Sequence, residues 1–105
     1  MDDEDDTVAF IERRKPVSTP RESGLEARVC KLAKSRGWMH KKIGTNGWPD
    51  QMFLRRGAIL FIEFKRADSG RTSAQQDNRI RALRDQGFTV HLIDNFEGGK
   101  RVFSS

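Results

Sequence analysis

A chain of 105 residues supports one domain around one modest core. Hydrophobic residues make up 35% and charged residues 33%, so the surface is densely charged, and no apolar run approaches the roughly 20 residues of a membrane-spanning helix. The net charge of +5 conceals an asymmetry: without Asp2, Asp3, Glu4, Asp5 and Asp6, residues 7–105 carry +10, a balance suited to a polyanion such as nucleic acid.

The lone Cys30 excludes an internal disulfide, and no cysteine cluster offers a zinc site. The M-D-D-E-D-D start is the opposite of the basic and apolar segments of a secretory leader. A reducing, cytoplasmic setting is the expectation.

Residues 1–18 lack apolar periodicity, contain Pro16 and read as a flexible acidic tail ahead of a domain spanning 19–105. Thr19-Pro20-Arg21-Glu22 is a capping box with proline at the first helical position, and Ser23-Gly24-Leu25-Glu26 is a second candidate start. Leu25, Val29 and Leu32 then recur at helical spacing until Gly37. Residues 38–43 read as a short strand with interleaved basic residues, followed by a loop from Gly44 to Gly47.

Residues 50–55 and 58–65 read as a hairpin about Arg56-Gly57. The second strand, A-I-L-F-I-E-F, is apolar on both faces and therefore central. A polar loop from Ala67 to Thr72 leads to a second helix, capped by Thr72 or Ser73 and running to Gln86, with Gly87 as its stop. Residues 88–93 form another strand, and Val102-Phe103 a candidate edge. The class is α/β: a mixed sheet flanked by helices, in the order α-β-β-β-α-β.

Asp50, Glu63 and Lys65 stand out because a strand end in an apolar sheet is a costly place for charge unless the charges are paired or bind metal. With a two-residue hairpin loop, Arg55 faces Ala58 and, counting outward, Asp50 faces Glu63. Two opposed carboxylates repel, and a divalent cation between them relieves the repulsion. Mg²⁺ or Mn²⁺ suits such oxygen ligands, with the backbone carbonyl of Phe64 as a further donor. Lys65 shares the face of Glu63 and is placed to position a water or to stabilise charge on a phosphate. This constellation is what a metal-dependent phosphodiester hydrolase requires. The blander alternative, a cross-strand salt bridge to Lys65, leaves the second carboxylate unexplained.

Glu26 flanks the apolar stripe of the first helix, where it either reaches a metal at the sheet's end or closes the Ser23 box. Gln76 precedes Ile80 by four and Leu83 by seven and so faces the core. It either orients Lys65 or a catalytic water, or satisfies backbone groups at the helix start. Arg71, Arg79, Lys41 and Lys42 are candidate phosphate contacts, as are Arg81, Arg84, Arg55 and Arg56; a solvated surface is their alternative. Trp48 reads as packing in preference to base stacking, and His40 and His91 as surface or half-buried residues.

The ordered set of Glu26 on an opening helix, G-W-P-D at 47–50, E-F-K at 63–65 and S-A-Q-Q at 73–76 resembles the VRR-NUC domain. That is the virus-type replication–repair nuclease branch of the PD-(D/E)xK superfamily, and the resemblance covers about residues 21–96. It implies a restriction-endonuclease-like core and Mg²⁺- or Mn²⁺-dependent DNA cleavage. It implies Asp50 and Glu63 as metal ligands, Glu26 as a direct or water-mediated ligand, Lys65 as the catalytic lysine, and Gln76 as the family's glutamine. Ala74 departs from the proline that relatives often carry there. The short stand-alone form resembles phage and bacterial proteins that act as homodimers on branched DNA, including four-way junctions. Flap, nick or simple-duplex cleavage and non-catalytic DNA binding are the competing readings.

Overall fold

The computed structural model describes residues 21–65 and 73–104. Seven elements follow in chain order: α1 (Arg21–Ser35), β1 (Met39–Lys42), β2 (Gln51–Arg55), β3 (Ala58–Phe64), α2 (Ala74–Asp85), β4 (Thr89–Ile93) and α3 (Phe96–Val102). The strands form one sheet in the order β1-β2-β3-β4, antiparallel except for the parallel β3–β4 pair. The acidic tail, the Thr19 box and the loop at 67–72 lie outside the described residues. Ser23 lies within α1, not at its start.

The hairpin is built as its length requires. Arg56 and Gly57 both take positive φ, 50° and 82°. Two such residues make the turn whose twist matches that of the flanking strands. Arg55 therefore pairs with Ala58, and the register runs outward to Gln51 opposite Ile62.

β3 is an inner strand, and its second half, residues 61–64, is buried on both faces. Ile62 and Phe64 pack with Phe53, Ile93, Trp38 and Phe103 beneath α1, which contributes Val29, Cys30 and Ala33. Phe61 points the other way, to Val90 and to Ile80 and Leu83 of α2. Phe53 is fully buried, and burial of a side chain of this size contributes roughly 1.5–3 kcal/mol. The polypeptide thus forms three layers, with the β3 side chains alternating between two apolar clusters.

The chain does not end in an edge strand. Val102 belongs to α3, and Phe103 caps it, fully buried against Trp38 and Phe53. Gly98 and Gly99 each disfavour a helix by about 1 kcal/mol relative to alanine, which hides α3 from propensity. Packing reverses that preference: a Cβ at Gly99 would lie 2.6 Å from Cγ2 of Val29. The glycine lets α3 approach α1 closely, and Asn95 caps the helix by accepting from the Gly98 N–H. Among the described residues no helix is long and apolar enough to cross a membrane.

Candidate metal and nuclease site

The hairpin register ends at Gln51–Ile62, with Asp50 and Glu63 the next residue on either side. The Phe64 N–H donates to Oδ2 of Asp50 at 2.8 Å, tying the Asp50 carboxylate to the end of β3. Asp50 reaches this place through a well-anchored loop. Its carbonyl accepts from Ile43 N–H, and Pro49 before it is fully buried. Gly47, at φ 84°, lies so close to α2 that a Cβ would meet Cγ of Gln75 at 2.8 Å. Trp48 packs into the α2-side cluster, with the guanidinium of Arg79 4.8 Å above its ring. The loop that presents Asp50 and the helix that presents Gln76 are therefore packed as one body.

Glu63 is only 5% exposed. Its Oε2 accepts from Nε2 of Gln76 at 2.7 Å and lies 3.6 Å from Nζ of Lys65. Gln76 takes the helix-start role weighed from the sequence, and its side-chain amide bonds Glu63 where Lys65 or a catalytic water is the expected partner. Its Oε1 accepts from the Ser73 N–H while its own N–H donates to Ser73 Oγ, so it closes the capping box of α2. Its remaining donor orients Glu63. Lys65 is tucked in, with its side chain 11% exposed, and its backbone N–H donates to Ile93.

Burial raises the pKa of Glu63 above its ordinary value, and the negative charge of Asp50 adds to the rise; Gln76 and Lys65 oppose it. Asp50 is likewise raised, first by burial, against the Phe64 hydrogen bond. Both shifts describe carboxylates whose charged forms burial penalises more than the nearby lysines compensate. Oε1 of Glu63 is moreover buried without a hydrogen-bond partner. An unsatisfied carboxylate oxygen costs free energy unless something electropositive meets it. The donor set fits a hard divalent cation on that ground. No group of three His, Cys, Asp or Glu side chains capable of holding a metal occurs among the described residues. Two carboxylates, a backbone carbonyl and waters are the kind of set Mg²⁺ accepts.

Glu26 stands apart from this pair. Its Oε2 accepts from Nζ of Lys42 at 2.9 Å and from Nε2 of Gln51 at 2.6 Å. Its charge still raises the pKa of Asp50, so it flanks the site from the α1 side. The capping role with Ser23 falls away, because α1 begins at Arg21. Cys30 on the same helix is pushed up to about 11 by burial and by Glu26, which makes it an inert core thiol.

The basic candidates divide. Lys41 and Lys42 are exposed on β1, and Lys42 is held partly by Glu26. Arg79 is exposed beside the Asp50 loop, whereas Arg71 lies outside the described residues. Arg55 and Arg56 sit at the hairpin, the opposite end of β2 from Asp50. Arg55 there covers the Trp38 ring and donates to the Arg36 carbonyl, and Arg84 donates to the Val90 carbonyl.

Gln51 is the residue that the motif reading overlooks. It is 5% exposed and bridges Glu26 and His40. The available signal was strand alternation, which places residue 51 on the face of Phe53, toward α1.

No protein-family model and no curated protein matches the chain. Two solved structures do. One, described as a VRR_NUC domain, aligns with a TM-score of 0.72 at 22% identity, over 79% of this chain and 94% of its own. The other, a VRR_NUC domain protein, aligns with a TM-score of 0.64 at 19% identity, over 84% of this chain and 88% of its own. This chain has the α/β fold of those VRR_NUC domain structures, a mixed four-stranded sheet flanked by helices.

Proposed function

We propose that this protein is a divalent-metal-dependent, structure-selective DNA endonuclease that acts on four-way junctions as a homodimer. The observation that carries the nuclease reading is Glu63 Oε1, buried and unsatisfied beside a second carboxylate and the Lys65 ammonium. The VRR_NUC fold supports the same reading.

Asp50 and Glu63 would hold Mg²⁺ or Mn²⁺, with the Phe64 carbonyl as a third donor and Glu26 acting through water. A bound cation of this kind polarises a phosphate and lowers the pKa of a coordinated water. The chain's own contribution is placement. Gln76 fixes one oxygen of Glu63 and leaves the other to the metal. The Phe64 N–H fixes Asp50 in the same way. Lys65, on the Glu63 side, offsets charge that develops on the scissile phosphate. Lys41, Lys42 and Arg79 serve as phosphate contacts around the site, and Arg71, outside the described residues, is a further candidate contact.

Junction selectivity follows from size. One domain of 12.1 kDa has little surface for reading bases, so shape and phosphates dominate its recognition. Two copies related by a twofold axis present two sites to two arms. The test is cleavage of matched four-way junction, flap and linear duplex with Mg²⁺, with Mn²⁺ and with chelator, alongside light scattering. We expect metal-dependent cutting that favours the junction, a mass twice that of one chain with DNA bound, and affinity falling steeply with salt as phosphates release counterions. A monomer that cuts flaps and ignores junctions would overturn the substrate and assembly. Binding without cleavage under every metal condition would make the chain a DNA-binding module.

A further inference from the structure

We propose that Gln51 is a positioning residue that holds the Glu26 carboxylate in place beside the metal site, on its α1 side, with His40 fixing the Gln51 amide in turn. The inference rests on the nuclease reading above and adds to it the arrangement that sets Glu26.

Gln51 follows Asp50 directly and opens β2, paired in the sheet with Lys42 on one side and Ile62 on the other. By strand alternation its side chain shares the face of Phe53, above a cluster that includes Val29, Cys30, Ile62 and Phe64. An amide is an expensive side chain in that setting unless it is hydrogen-bonded. Both of its bonds go to side chains at the rim of the site. Nε2 donates to Oε2 of Glu26 at 2.6 Å, and Oε1 lies 3.3 Å from Nδ1 of His40.

The direction of these bonds follows from chemistry. An ionised carboxylate can only accept, so the NH₂ end of Gln51 must face Glu26. The carbonyl end is left for His40 and can only accept, so His40 carries a proton on Nδ1. The amide is therefore locked in one orientation from both ends.

Lys42, the other partner of Glu26, has a side chain that is 65% exposed, whereas the Glu26 side chain is 16% exposed. An exposed ion pair contributes little and exchanges readily with a phosphate. Gln51, buried, has no such exchange available. Glu26 thus has one partner that DNA can take away and one that it cannot, and the second sets its position during the reaction. Outer-shell groups of this type change metal affinity by about 10–100-fold when removed.

The test is Mn²⁺ binding by calorimetry, in the absence of DNA, for wild type, Gln51→Met, Glu26→Gln and the double variant. Thermal melting checks folding. Methionine keeps the length and apolar stem of glutamine and removes only the amide. We expect Gln51→Met to fold and to bind Mn²⁺ about tenfold more weakly. We expect Glu26→Gln to weaken binding comparably and the double variant to be no weaker than Glu26→Gln alone. Wild-type affinity in Gln51→Met, wild-type affinity in Glu26→Gln, or losses that multiply in the double variant would each overturn the proposal. If Gln51→Met does not fold, His40→Ala carries the test, since His40 is exposed; unchanged Mn²⁺ affinity in it overturns the proposal as well. A wild type that binds no Mn²⁺ fails at the earlier step, the metal-dependent nuclease reading, and is told apart from these outcomes by that.

Discussion

Lys65→Ala should abolish cleavage, by about 10²–10³-fold or more, while junction affinity stays within about twofold of wild type. The two halves of this expectation have different causes. Affinity is set by the summed charge of the domain, and residues 7–105 carry +10. Removing one partly buried ammonium changes that field little and lowers the salt slope by at most about one unit. The reaction depends on local charge instead. Lys65 Nζ lies 3.6 Å from Glu63 and is screened by burial, so no surface lysine replaces it. Filter binding beside single-turnover cleavage separates the two quantities. Wild-type cleavage by the variant would remove Lys65 from the mechanism, and a large loss of binding would make it a DNA contact.

Asp50→Asn should stabilise the metal-free protein at neutral pH and remove its stabilisation by metal. The sign follows from the direction of the shifts. Asp50 and Glu63 have ordinary values of 3.8 and 4.5, and burial raises both in the folded state. A raised carboxylate binds its proton more tightly when folded than when unfolded. The stability it contributes is therefore complete below about pH 4 and is lost as pH rises through the raised native values. The charge of Asp50 adds to the rise at Glu63, so carrying both charges together is unfavourable in the folded state. Asparagine removes one charge and keeps an oxygen for the Phe64 N–H, so we expect the melting temperature in chelator to rise by roughly 2–6 °C. Saturating Mn²⁺ should raise the melting temperature of wild type, by linkage, and leave Asp50→Asn nearly unmoved. A variant that melts lower than wild type in chelator would mean that the carboxylate is structurally favourable as it stands. The pair would then be no site of stored repulsion.

How much of this was legible in advance depends on which interaction decided each feature. The hairpin register is readable because Arg56-Gly57 permits one tight turn, and from that turn the pairing out to Gln51–Ile62, next to Asp50 and Glu63, is counting. β3 is readable as central because its apolar residues occupy both faces. Gln76 is readable as inward from its spacing to Ile80 and Leu83. The oxygen of its amide caps α2, as one reading has it, while the nitrogen holds Glu63, a partner that neither reading names. Propensity hides α3, because Gly98 and Gly99 oppose it locally and only the contact with Val29 requires a small residue there. Gln51 is hidden because its importance comes from partners 25 and 11 residues away, Glu26 and His40, which no spacing rule connects. Glu26 is legible as a helix carboxylate near the site. Its separation from Asp50 and Glu63 is set by Lys42 and Gln51, which is a matter of tertiary packing.

The central claim is that Asp50 and Glu63 form a divalent-metal site at the end of the sheet. Crystals of the protein soaked in Mn²⁺ test it most directly, by anomalous scattering at the manganese edge. The account predicts a peak within coordination distance of the Asp50 carboxylate and of Oε1 of Glu63, the oxygen now without a partner, with the Gln76–Glu63 hydrogen bond retained. A saturating soak that leaves this position empty, or places manganese only elsewhere, would contradict it.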